Sequence, residues 1–130
     1  MAGKVRRWPR KEFTKRTAWF REQFQLQDWT IDLVIQDAPM VEESTSSEMA
    51  NVVSNGTAKT AWLWVSPSRC LAYKENQGEV LFHELLHMAC VDVGIMGHDV
   101  DPGDTLMDRL AVLCERCYQE DRKKKKPPAV

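Results

Sequence analysis

The stretch Gln77–Val93 constrains this chain more than any other. Val80, Leu81, Phe82, Leu85, Leu86 and Met88 leave a helix drawn through it apolar on most sides. Such a helix has to be buried, so the rest of the chain must wrap around it. Gly94 stands where a left-handed C-terminal cap would close it. Within this apolar segment lie His83 and His87, two of the chain's 3 histidines, with Glu84 between them. Polar side chains are costly there without partners, so these three need a shared task.

Four-residue spacing places His83 and His87 about 40° apart around a helix and one turn apart along it. Both imidazoles then reach one tetrahedral metal ion at about 2.0–2.1 Å. Glu84 projects about 60° from His87, off the coordination point but able to face a water beside it. Two neutral nitrogen ligands leave zinc electrophilic, and an adjacent carboxylate takes the proton of the water it polarises. The bland alternative is a pair of hydrogen-bonded core histidines next to a salt-bridged glutamate.

Around this helix the sequence reads as an α+β order. Pro9 opens an amphipathic helix to residue 25, with Phe13, Thr17, Phe20 and Phe24 on one face. Trp29–Ile35 alternates as a strand and Glu48–Ser54 reads as a second. Asn55-Gly56 predicts a tight hairpin, with Thr57–Val65 returning antiparallel until Pro67 ends it. Trp62 and Trp64 fall on one face of that strand; Ala61, Leu63 and Val65 fall on the other. A last helix runs from Gly103 or Asp104 to about Glu120. Its predicted apolar stripe is Leu106, Met107, Leu110, Leu113, Cys114 and Cys117, bordered by Asp104, Asp108, Ala111 and Glu115.

The segment Val80-Leu81-Phe82-His83-Glu84-Leu85-Leu86-His87 resembles the active-site helix of zincin metallopeptidases. The layout from Trp29 to Cys114 is similar to the small, single-domain, gluzincin-like proteins of phages and bacteria. The resemblance implies a zincin-like α+β domain with an N-terminal helix, a small antiparallel sheet of about three strands, the active-site helix and a C-terminal helix. It implies one Zn2+, a peptide or protein substrate, and Glu84 as the general base of a peptidase. It also makes Ala61, Trp62, Leu63, Trp64 and Val65 the strand that aligns the substrate by backbone pairing.

A catalytic zinc takes three protein ligands and keeps one open position. A metzincin pattern is excluded, because Val93 stands where its third histidine would be. Gluzincins carry a Glu on a following helix and, four residues later, an acid that orients a ligand histidine. No Glu occurs between His87 and Glu115, but Asp104-Thr105-Leu106-Met107-Asp108 has that shape with Asp in first place. Asp104 is therefore the lead third ligand and Asp108 the partner of an imidazole N–H. Asp104 could equally serve as the helix N-cap. His98, in Gly97-His98-Asp99, is the competing ligand and carries a weaker resemblance to SprT-like proteases, which use a third histidine and act near DNA. Otherwise His98, or Tyr73, could stabilise a developing oxyanion. A zinc-binding regulatory protein without catalysis is the other class of function.

At 130 residues, 43% apolar and 28% charged, one soluble globular domain is expected. No apolar run reaches the ~20 residues of a membrane span, and the N-terminus is too basic for a signal peptide. The expected setting is the cytoplasm of a bacterium or phage-infected cell. Four cysteines without framework spacing read as packed thiols, Cys114 and Cys117 included. Charge is uneven: residues 17–121 carry a net −12, and both ends are basic. The expected division is a basic extension over 1–8, the domain over 9–121 and a basic disordered tail over 122–130. Nucleic acid would bind only through those ends, because the acidic body repels polyanions.

Overall fold

The computed structural model describes residues 6–37, 49–94 and 105–125. In chain order these form α1 (Arg10–Gln23), β1 (Thr30–Ile35), β2 (Ala50–Asn55), β3 (Thr60–Val65), α2 (Pro67–Ala72), α3 (Gln77–Asp92) and α4 (Thr105–Lys125). The class is α+β. Helix α3 is central: α1, α2, α4, β2 and β3 all pack against it. Its Leu81, Phe82, Leu85 and Met88 are fully buried, as its apolar circumference requires. Among the described residues, no helix is long and apolar enough to cross a membrane.

The sheet is mixed, in the order β1-β3-β2, which corrects the antiparallel sheet expected from sequence. Strand β2 pairs antiparallel with β3, from Ala50 opposite Val65 to Asn55 opposite Thr60. Strand β1 pairs parallel with β3, Thr30 opposite Thr60 and Ile35 opposite Val65. A hairpin signal fixes only the partner that follows it. The long connection after β1 lets β2 pass to the far edge, which leaves β3 in the middle. Leu33, Ala61, Leu63 and Val65 form the buried inner face. Trp62 and Trp64 point the other way; Trp64 is buried and its Nε1 donates to the Gln36 carbonyl at 2.9 Å.

The β2–β3 connection is also wider than a two-residue Asn-Gly turn. Asn55 Oδ1 accepts from the backbone N–H of Thr57 at 3.1 Å and of Ala58 at 3.0 Å. Two such bonds stabilise a longer loop, which Lys59 closes in the left-handed region at φ 54°. Helix α2 was not expected. Ser66 caps it by accepting from Arg69 N–H, and Pro67 occupies its first turn, so the residue that stops β3 starts a helix.

Helix α1 buries Phe13, Thr17 and Phe20 as expected, and Phe24, half-exposed, stacks on Phe20 at 4.3 Å. It also buries Arg16. Helix α4 departs further from expectation. Its buried line is Met107, Ala111, Cys114, Glu115 and Tyr118, while Leu106 and Leu113 are exposed, as is Cys117. The helix is rolled about its axis relative to its most apolar stripe. Glu115 turns inward on this face and pairs with Arg16 at 2.8 Å.

Residues 6–8 pack onto the start of α3. Gln77 Nε2 donates to the Arg6 carbonyl at 2.9 Å, and Gln77 Oε1 accepts from Trp8 N–H at 3.0 Å. The Trp8 ring lies 4.1 Å from the Arg16 guanidinium. Residues 6–8 thus contact α1 and α3, and α4 continues through Arg122 to Lys125.

Candidate metal centre

Helix α3 is set before its histidines are. Asn76 caps its N-terminus by accepting from Glu79 N–H at 3.0 Å, and Gly94 follows its end at φ 76°. Four buried apolar side chains then fix its rotation. His83 and His87 are left half-buried on one side.

Their Nε2 atoms converge to 3.1 Å, and the rings meet edge to face at 68°. Two nitrogens each about 2.0–2.1 Å from one tetrahedral ion stand roughly 3.3 Å apart. The pair thus stands close to the spacing of two zinc ligands, which is equally that of one N–H···N hydrogen bond between the rings. His83 Nδ1 lies 2.8 Å from Asp108 Oδ1 on α4. A carboxylate accepting Nδ1–H leaves the lone pair on Nε2, where the two rings converge. Asp108 itself is mostly solvent-exposed, 71% for its side chain, so packing contributes little to that contact.

A cleft of about 440 Å³ opens beside His83, lined also by Glu84, Asp108, Val80, Ala111, Met49 and Ala50, while His87 does not line it. Glu75 and Glu79 extend its wall. Burial, reinforced by Glu115 and Glu75, pushes the Glu79 carboxyl above its ordinary value. Glu84 therefore shares a cleft with the imidazole that precedes it and with the Asp108 carboxylate.

Other expectations change. Ala61, Trp62, Leu63, Trp64 and Val65 cannot align a substrate, because β1 and β2 occupy both edges of β3 along its length. Among the described residues, the unpaired edge beside the cleft belongs to β2. Tyr73 follows α2, 48% exposed, and does not line the cleft. Asp104 and His98, the alternative third ligands, lie outside the described residues. Among those described, no group of three His, Cys, Asp or Glu is arranged to hold a metal.

Cys70 and Cys114 are buried thiols. Burial pushes Cys70 up to about 12 and Cys114 to about 11, so neither is a ready thiolate. Cys117 points outward, so Cys114 and Cys117 do not share one role.

Sequence reasoning missed the ion pair that joins α1 to α4. Arg16 Nε and Nη2 donate to Glu115 Oε1 and Oε2 at 2.8 and 2.9 Å, and Arg16 is 1% exposed. Its only local signal was an arginine interrupting the line of Phe13, Thr17 and Phe20.

Comparison with protein-family models, with curated proteins and with solved structures finds no match to this chain.

Proposed function

We propose that this protein is a zinc-dependent peptidase with a zincin-like active-site helix. The observation that carries the reading is the convergence of His83 and His87 Nε2 to 3.1 Å, with Asp108 on the back of His83. Zinc, when bound, supplies Lewis acidity toward a water and toward the carbonyl of the scissile bond. His83 and His87 hold it; Asp104 or His98 completes the set. Asp108 keeps the His83 proton on Nδ1. Glu84 takes a proton from the attacking water and delivers it to the leaving amine. The outer edge of β2 is where an extended peptide would add by backbone pairing, carrying the scissile bond past Glu84.

Exchange of Glu84→Gln in the full chain tests the mechanism. It should leave zinc content at one per chain and lower peptide turnover by at least ~10²–10⁴-fold, the range of a positioned acid–base group. Undiminished cleavage by the Gln variant would end the proposal. Zinc bound by wild type with no cleavage of any peptide would instead favour the regulatory zinc protein. Replacing Asp104 or His98 by Ala identifies the third ligand, because only a true ligand's loss lowers zinc stoichiometry.

One observation favours a second association. Arg6, Arg7, Lys11 and Arg122, from opposite ends of the chain, line a single groove with Glu12 and Glu75, Arg7 pairing with Asp37 and Arg122 with Glu12. We infer a polyanion such as nucleic acid as its partner, with binding that weakens steeply as salt rises. Fluorescence anisotropy with a labelled oligonucleotide at two salt concentrations tests it. Binding that ignores salt, or survives Arg6→Ala/Lys11→Ala/Arg122→Ala unchanged, would rule the groove out.

A further inference from the structure

Gly78, in the first turn of α3, has no room for a side chain. A Cβ there would lie 2.2 Å from Glu115 Oε1 and 2.9 Å from Arg16 Nε. That carboxylate cannot swing aside cheaply. Arg16 Nε and Nη2 grip both its oxygens, and Gln119 Nε2 donates to Oε2 at 2.9 Å. The guanidinium is held in turn between the rings of Trp8, at 4.1 Å, and Tyr118, at 4.5 Å. Glu12 adds an ion pair to Nη1 at 3.1 Å. The pair is therefore buried, fully partnered and pressed against the backbone of α3.

Glu115 and Asp108 are seven residues apart on α4. They lie within about 20° of one line down that helix, roughly 10 Å from each other. Glu115 meets α3 at Gly78, and Asp108 meets it at His83, with buried Met107, Ala111 and Cys114 of α4 packed in the core along the same helix. The Glu115 contact is rigid and buried; the Asp108 contact is exposed and has little packing of its own. At a helix radius of about 5–6 Å, a 20° roll of α4 moves the Asp108 carboxylate roughly 2 Å. That is enough to break its 2.8 Å contact with His83. A buried ion pair rarely outdoes apolar residues of equal volume in stability, but its bonds are directional and fix a register. The observed register is also not the one the apolar residues of α4 favour, since Leu106 and Leu113 are left exposed.

We propose that Arg16, Glu115 and Gly78 are positioning residues: they clock α4 so that Asp108 orients His83 in the two-histidine centre. The zinc part of this inference rests on the reading of that centre as a metal site; the orientation of His83 does not. Arg16→Met/Glu115→Met removes both charges together and keeps an apolar filling. Gly78→Ala keeps both charges and displaces the carboxylate, so it serves where the double variant does not fold.

Two readouts are taken on the full chain, each with and without Asp108→Asn. Zinc affinity is measured by competition with a chromophoric chelator. The imidazole tautomer of metal-free His83 is read from its ring 15N shifts. In wild type, Asp108→Asn should weaken zinc about 10–100-fold and release the Nδ1–H tautomer. In either clamp variant both properties should already be changed, and adding Asp108→Asn should alter zinc affinity less than about 3-fold. Equal effects of Asp108→Asn in wild-type and clamp backgrounds would overturn the proposal, whatever the change in melting temperature. No zinc binding by wild type, with a tautomer that still follows the clamp, would remove the metal reading and leave the clamp standing. A tautomer indifferent to the clamp in folded variants would remove the clamp and leave zinc untouched.

Discussion

At the scale of single residues, the centre divides into groups that spacing reveals and groups that only the fold supplies. His83, Glu84 and His87 were legible because helical geometry alone brings an i, i+4 pair to one point. Asp108 was legible only through the resemblance to gluzincins, and the structure puts it 2.8 Å from His83 Nδ1. Arg16 was not legible. A lysine or arginine on an amphipathic helix ordinarily reads as solvated surface, and its partner lies 99 residues away. Asp108 also yields the sharpest residue-level prediction. Asp108→Asn keeps the shape but gives up the negative charge beside His83 Nδ1. Zinc affinity should fall about 10–100-fold. Folding stability should change by no more than about 0.5 kcal/mol, since so exposed a side chain has little packing to lose. Chelator competition and urea denaturation of one sample measure both. A large stability loss with intact zinc affinity would mean that Asp108 braces the helices rather than the imidazole.

At the scale of elements, local pattern succeeded where an element is decided by its own residues. The apolar circumference of α3, the phenylalanine face of α1 and the alternation in β1 each specify themselves. It failed where a distant partner decides. The parallel pairing of β1 with β3 leaves no trace in either strand's alternation. Helix α4 buries Glu115, paired with Arg16 on α1, and leaves its Leu106 and Leu113 exposed. The start of α3 is the locally decided kind, and it can be tested locally. Asn76 supplies a side-chain acceptor at that helix N-terminus, to Glu79 N–H. Asn76→Ala should cost about 1 kcal/mol of stability, in the ordinary range for a lost cap. Amide exchange should accelerate first over Gly78–Leu81. Unchanged exchange there would show that the burial of Gln77 and Gly78, not the cap, holds the turn.

At the scale of the whole molecule, the fold brings together ends that the sequence keeps apart. Glu12 on α1 is the joint. It contacts Arg16 at 3.1 Å, Lys15 at 3.9 Å and, from the far end of α4, Arg122 at 3.7 Å. Burial alone would raise its carboxyl. The Arg16 hydrogen bond and charge, followed by Arg122 and Lys15, outweigh that and hold it below its ordinary value of 4.5. A carboxyl with a lowered folded value binds its proton more weakly in the native state than in the unfolded chain. Its contribution is therefore fully present above pH 4.5 and is lost as pH falls through the folded value. Glu12→Gln has no such proton to gain. Its stability should start lower than wild type at neutral pH, and the gap should narrow as the solution is acidified below 4.5. Urea midpoints for both proteins, taken at neutral pH and at about pH 3.5, isolate this group from the other carboxylates, which titrate alike in the two chains. Parallel curves would mean that Glu12 only decorates the surface, and that the ends of the chain are held by Trp8, Gln77 and the buried pair alone.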